Sequence, residues 1–259
     1  MAGPSAVRVA VVTAYYREDR ADLQRCLDSV AAQTHPCTHF LVSDGHPQDF
    51  LDALPVRHVK LGVAHGDYGD TPRAVGSLLA VREDFDAVAY LDADNFYLAD
   101  HVRGMLDAAA THGEGFDVIT ARRFFVRPDG SRMPIADEPY QQHADTSCYL
   151  VLRGAFPLLP LWALMPRPFS VIGDRVFWRA ILARGLRVGH LPRETVGYRS
   201  LWRAQYEALG EIPPPGAKEL GPDILAAARW WFARPEAERA PVTRLLGFDP
   251  GSLFVRNTP

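Results

Sequence analysis

The run Ala87-Val88-Ala89-Tyr90-Leu91 passes without a break into Asp92-Ala93-Asp94-Asn95. A short apolar run of this kind reads as a strand buried in a sheet. Ionised carboxylates at the rim of an apolar core are costly unless they are paired, hydrogen-bonded or bound to a metal. In extended chain, residues two apart point to the same side, which would let Asp92 and Asp94 converge on one cation. A solvated turn is the plainer alternative, and a D-x-D triplet alone is a weak signal. The rest of the chain decides between them.

Val7–Val12 is rich in β-branched residues and predicts a first buried strand, ending at the polar and aromatic segment Thr13-Ala14-Tyr15-Tyr16-Arg17. A helix follows from about Asp19, with Leu23, Cys26, Leu27, Val30 and Ala31 on one face. Phe40-Leu41-Val42 predicts a second strand that runs into Ser43-Asp44-Gly45, and a weaker third covers Val56–Leu61. After the Gly-rich loop 62–69, Thr71-Pro72 reads as an N-cap with proline in the first helical turn, opening a helix to about Arg82. The acidic strand is the fourth. A helix over about Asp100–Thr111 and a strand over Phe116–Thr120 complete the alternation. This pattern predicts an α/β fold, with a mostly parallel sheet covered by helices on both faces. In such sheets ligands sit at the carboxyl ends of the strands. Thr13–Tyr15, Asp44 and the Asp92/Asp94 pair each follow a strand, so they belong to one edge. That placement favours a metal site over a turn.

The chain has 259 residues, of which 47% are hydrophobic and 23% charged, enough for one large α/β domain or two joined halves. A net charge of -3 argues against a general nucleic-acid binder. The longest apolar stretch, Tyr149–Met165, is interrupted by Arg153, Gly154, Pro157 and Pro160, so no transmembrane segment is expected. Met1–Ser5 has no basic-then-apolar leader pattern, and Cys26, Cys37 and Cys148 are odd in number without metal-like spacing. A cytoplasmic protein with reduced thiols is the expectation.

Beyond Thr120 the texture changes. Phe124–Val126 and Met133–Ile135 flank the turn sequence Arg127-Pro128-Asp129-Gly130-Ser131 and predict a hairpin. A strand is expected over Cys148–Leu152, and Gly173-Asp174 opens a helix that stops at Gly185. Strands near Leu186–Leu191 and Thr195–Tyr198, a helix from about Leu201, a Pro-rich linker over Gly210–Gly221, a helix near Asp223–Ala233 and a loose tail follow. There is no internal repeat.

Taken together, these short motifs resemble the family 2 glycosyltransferases of the GT-A fold, over roughly residues 7–200 by motif matching. Thr13-Ala14-Tyr15 matches the segment that lies against the nucleotide base in that family, and Ser43-Asp44-Gly45 matches its Asp-Asp-Gly-like turn. Gly69-Asp70-Thr71-Pro72-Arg73-Ala74-Val75-Gly76 matches a Gly-x-x-x-Arg-x-x-Gly-like element, and Asp92-Ala93-Asp94 matches the D-x-D that ligates the metal. Gly173-Asp174 stands where the family has a Glu-Asp pair carrying the base. The resemblance implies a transferase that moves one sugar from a nucleotide diphosphate sugar to an unknown acceptor, with inversion. It implies Mn2+ or Mg2+ on Asp94 and Asp92, Asp94 directly and Asp92 through water or holding the ribose. Thr13, Ala14, Tyr15, Asp44, Arg73, Asp92 and Ala93 would bind the nucleotide sugar, and Asp174 would be the general base. Asp44 would accept from a base N–H and suits uracil, so a UDP-sugar is favoured. The fold it implies is a nucleotide-sugar half (1–121), an acceptor and catalytic half of the same domain (122–210), and a linker with a helical tail (211–259).

Physical chemistry agrees with those roles. A divalent cation stabilises the charge that grows on a departing diphosphate, and a forked guanidinium suits phosphate oxygens. A carboxylate at a helix start stays ionised, as a base must, although helix capping is the commoner role for an Asp there. Secondary candidates are Asp145, facing the diphosphate or the acceptor or solvated in a loop, His143 and His190 as additional metal ligands or structural histidines, Arg199 and Arg203 as phosphate partners or surface pairs, and Trp162, Met165 and Phe169 as acceptor-pocket walls or core. Aligned by Pro192, Tyr198 stands where many relatives have a histidine, which leaves the third metal ligand open. The Gln-x-x-Arg-Trp motif of processive polymerases is absent. A sugar nucleotidyltransferase and a non-catalytic nucleotide-sugar-binding domain are the alternatives.

Overall fold

The protein is described by a computed structural model over residues 7–110 and 115–255. Met1–Ser5, Thr111 at the expected end of the third helix, and residues 256–259 of the tail lie outside the described residues. The first half contains β1 (Val9–Tyr15), α1 (Arg20–Ala31), β2 (Cys37–Ser43), β3 (Arg57–Lys60), α2 (Asp70–Arg82), β4 (Ala87–Tyr90), β5 (Phe96–Tyr97) and α3 (His101–Ala110). The second contains β6 (Val118–Val126), β7 (Tyr149–Leu152), α4 (Leu161–Leu164), α5 (Gly173–Ala183), β8 (Val188–Arg199) and α6 (Arg203–Ala208). Two helices, α7 (Gly221–Phe232) and α8 (Glu236–Leu246), close the chain.

One sheet of order β3-β2-β1-β4-β7-β6-β8-β5 runs through both halves. The β3, β2, β1 and β4 strands are parallel neighbours, as is the β6–β8 pair. Alternation along the strands explains the two covered faces. In β1 and β4, Ala10, Val12, Val88 and Tyr90 join the core under α2, α4 and α5. Their neighbours Val9, Val11, Ala87 and Ala89 join the core under α1 and α3. The close fit of α2 on β1 depends on Gly76, where a Cβ would stand 2.6 Å from Val12 Cγ1. The fold is thus the expected α/β GT-A-like sheet with helices on both faces and a helical tail.

Several local expectations change. The strand nearest to β4 on its far side is β7, inserted antiparallel with Val88 opposite Val151. Its Tyr149, Leu150 and Val151 are buried on both faces, which only a central position can satisfy. The two strands expected over residues 186–198 are one, β8, whose register against β6 shifts between Thr120 and Arg123. Pro192, which cannot donate to the ladder, lies in that bulged stretch. The expected hairpin at residues 124–135 is reduced to a Val126–Arg132 bridge around its turn. Thr71 is not the cap of α2: Gly69 occupies that position with φ 85°, and Asp67 Oδ2 accepts from both Thr71 N (3.0 Å) and Thr71 Oγ1 (2.5 Å). The expected loose tail contains α8, and Trp231 of α7 and Leu246 of α8 are fully buried. Among the described residues no helix is long and apolar enough to cross a membrane.

Candidate active site

A cavity of about 690 Å³ opens at the carboxyl ends of β1, β2 and β4 and continues toward α5. Asp92, Ala93 and Asp94 line it, yet not as a strand extension. The strand β4 ends at Tyr90, and Asn95 N donates to the Asp92 carbonyl at 3.0 Å to close a turn. This turn is pinned by buried Asn95, whose side chain donates to Ser147 Oγ (3.1 Å) and accepts from Arg199 N (3.0 Å). The two acids are therefore brought to the cavity by a turn rather than by strand alternation. Burial and the neighbouring Asp92 push Asp94 up to about 7. Among the described residues Asp94 forms no hydrogen bond or ion pair, and no third acidic, His or Cys side chain completes a metal cluster. Two carboxylates are a fitting protein share for Mg2+ or Mn2+, which take the rest of their shell from phosphate and water.

Arg73 reaches the cavity from the first turn of α2, where its guanidinium is already shared. Its Nη2 donates to Asp92 Oδ1 (2.8 Å), and its Nη1 donates to Asp70 Oδ1 (3.2 Å) and the Tyr68 carbonyl (3.0 Å). It is thus a strut between α2 and the acidic turn. Asp70 is 1% exposed, and burial pushes it up to about 8 despite Arg73.

The nucleotide-side residues divide. Ala14, Tyr15 and Asp44 line the cavity, whereas Thr13 is fully buried behind it and pairs with His39 Nε2 at 2.9 Å. Tyr15 lies 2% exposed with its ring stacked on His58 and its hydroxyl 2.6 Å from His58 Nε2. Asp44 holds the loop of residues 62–69, accepting from His65 N (2.7 Å), His65 Nδ1 (3.0 Å) and Gly66 N (2.9 Å). Burial opposes its charge, but these donors keep its carboxyl below the ordinary value.

Asp174, also in the cavity wall, sits in the first turn of α5 and does not cap it. Its Oδ1 accepts from Arg175 N at 2.7 Å and its Oδ2 lies 2.7 Å from His143 Nε2. The other ring nitrogen of His143 faces Glu138 Oε2 at 3.2 Å. Burial works against all three charges. The mutual attraction prevails, bringing Asp174 and Glu138 down to about 2 and His143 up to about 9.

No protein-family model matches the sequence, and no curated protein is similar to it in sequence. Solved structures are similar in fold. One is TarS of S. aureus, a glycosyltransferase, as the fragment 1–349 in complex with UDP. It shares 14% identity and a TM-score of 0.57, over 93% of this chain and 70% of that one. A second structure of the same fragment shares 15% identity at 0.57, over 97% and 73%. A TarS structure of which this chain covers 46% gives 0.56, with 13% identity over 98% of this chain. The chain has the fold of a glycosyltransferase.

In this glycosyltransferase-like fold, the residues picked out by sequence meet in one cavity, apart from Thr13. Tyr16 and Lys218 are among the wall residues outside that selection, and His143, named there as a candidate further ligand, is found against Asp174. Tyr16, 40% exposed, presents its ring at the rim beside His46, and only its position after Tyr15 hinted at it. Lys218 comes from the Pro-rich segment read as a linker. The contact of His143 with Asp174 spans 31 residues and has no sequence signal. Of the weaker candidates, Asp145 lines the cavity and is tied to Arg123, which also holds Asp137. His190 lies outside the wall, stacked on Tyr140. Arg199 pairs with Asp22, and Arg203 with Glu207 and Glu219. Trp162, Met165 and Phe169 are core.

Proposed function

We propose that this chain transfers a single sugar from a UDP-sugar to an acceptor hydroxyl by one inverting displacement. The observation that carries the reading is the presence of the Asp92/Asp94 turn and ionised Asp174 in the wall of one cavity, on a fold shared with a structure that holds UDP. Ala14, Asp44 and the Tyr15–Tyr16 step would receive the nucleotide, with Tyr16 offering the exposed ring for the base. Thr13 would support this wall from behind, Arg73 would hold Asp92 in place, and the Ala93 backbone would border the ribose.

Asp174 takes the proton from the acceptor hydroxyl as its oxygen bonds to the anomeric carbon. The bond from that carbon to the diphosphate breaks, and the nucleoside diphosphate leaves with its electron pair. Asp94 and Asp92 would hold Mg2+ or Mn2+, which supplies positive charge to the leaving diphosphate. The wall supports a need for added charge, since eight carboxylates line it against Arg73, Arg123, Arg175 and Lys218. Arg73, Arg123 and Arg175 are already paired with acids.

The test is a panel of nucleotide sugars incubated with Mn2+ or Mg2+, following nucleoside diphosphate release into water or onto a saccharide acceptor. Asp174→Asn is expected to lower release by about 10²–10⁴-fold while UDP still binds by calorimetry. Asp94→Ala is expected to remove the metal dependence of UDP binding. Pyrophosphate release would instead make the chain a nucleotidyltransferase. Binding of UDP without release from any donor would make it a binding domain.

A further inference from the structure

The proposed base is not alone. Asp174 has both oxygens engaged, one by the Arg175 backbone and one by His143. His143 is almost fully buried, and its second ring nitrogen is held by Glu138, which Arg175 also reaches at 3.4 Å. An imidazole between two carboxylates is a doubly paired cation, so it supports the charge of each. A carboxylate supported in that way is well oriented and firmly ionised, but it is a weak proton acceptor. The remaining charged groups around the ring are Arg123 from β6, which opposes its charge, and Asp145 on the same segment as His143. Arg123 is itself neutralised by Asp137 and Asp145.

We propose that His143 is a positioning residue that aims the Asp174 carboxylate at the acceptor and, through its own charge under the control of Glu138, sets the pH at which Asp174 acts as base. The proposal rests on the transferase reading given above. When the imidazolium loses its proton, Asp174 loses its ion pair and becomes a stronger base. The neutral ring can still donate from Nε2 to Asp174, but its bare Nδ1 then faces the Glu138 carboxylate. That repulsion favours the protonated ring in the native protein. A glutamine at 138 changes the balance: its amide N–H can donate to Nδ1, which stabilises the neutral ring with Nε2–H still aimed at Asp174.

The experiment measures donor hydrolysis by a panel of UDP-sugars across pH for the native protein, Glu138→Gln and His143→Gln. In parallel, the His143 ring is titrated by NMR, without substrate. Native kcat is expected to rise through an alkaline limb near the ring's value of about 9. In Glu138→Gln the limb and the NMR titration are expected to move together to lower pH by about one unit or more. His143→Gln is expected to lose the limb and about tenfold in kcat, with the donor KM within about twofold. A limb unmoved by both substitutions, or a native ring titrating at or below the ordinary histidine value, overturns the proposal. Failure of every UDP-sugar to hydrolyse despite UDP binding counts against the transferase reading instead. In that case the NMR titration alone decides: a high value lowered by Glu138→Gln upholds the charge coupling, and an ordinary value overturns it.

Discussion

Asp70 offers a test in which replacing an ionisable group by its neutral copy should stabilise the protein toward high pH. Its carboxyl is 1% exposed, Oδ1 accepts from Arg73, and Ser170 is the other side chain that supports its charge. Burial raises it from 3.8 to about 8, with the attraction of Arg73 only partly offsetting the loss of solvent. Between those two pH values the folded chain keeps a proton that the unfolded chain has released. Folding then takes up a proton, so stability falls as pH rises through this window. At about 1.4 kcal/mol per pH unit, the interval from about pH 5 to about pH 8 has a ceiling of about 4 kcal/mol. Side-chain relaxation and water entry reduce it, to about 2–3 kcal/mol.

Asp70→Asn copies the protonated acid in shape, and its Oδ1 still accepts from Arg73. Urea unfolding of both proteins across that interval should therefore show a gap that widens by about 2–3 kcal/mol toward high pH, in favour of the variant. Equal pH dependence in the two proteins would refute the reasoning. So would a variant less stable at about pH 8, because Asp70 would then be a stabilising ionised partner of Arg73.

Two further substitutions separate the cavity from the core behind it. Thr13→Val should leave UDP affinity within about twofold and cost about 1–3 kcal/mol of stability in thermal or urea unfolding, because buried His39 loses its partner; a large loss of UDP affinity with unchanged stability would put Thr13 back at the nucleotide. Tyr16→Ala should weaken UDP binding by about ten- to a hundredfold in calorimetry, the scale of about 1–3 kcal/mol for a base stacked on an aromatic ring. Its unfolding midpoint should barely move, since the ring is exposed at the rim.

The fold was legible because a buried parallel strand is apolar on both faces and the helices between strands keep a 3.6-residue stripe. Val9–Val12 and Ala87–Tyr90 follow the first rule, and Leu23, Cys26, Leu27 and Val30 the second. Where such local rules end, so did the reading. The insertion of β7 between β4 and β6 joins residues about sixty positions apart, and no local pattern encodes which strand becomes its neighbour. The helix α8 was missed because Leu246 alone in it is buried, leaving no periodic stripe, and Pro241 lies inside it.

The same distinction runs through the site. A strand end identifies which residues reach the ligand edge, and Asp44, Asp92 and Asp94 all do. It does not identify which way each side chain turns. Thr13 and Tyr15 are two residues apart on β1 and both are committed to histidines, His39 and His58. Tyr16, beyond the strand, is freed from the sheet and takes the exposed position. Arg73 carries the donors expected of a phosphate ligand, but a guanidinium so deeply buried needs a counter-charge of its own, which Asp92 supplies, while Asp70 Oδ1 accepts one of its hydrogen bonds. Asp174 shows the converse. At a helix start it reads as a cap or a base, and local sequence cannot separate the two. What local sequence lacks is His143, which arrives on a distant segment, binds the same carboxylate and is itself held by Glu138. Asp174 is not the cap of α5, and the buried imidazole with a second acid behind it holds its carboxylate oriented and ionised, the state that the proposed role as base requires.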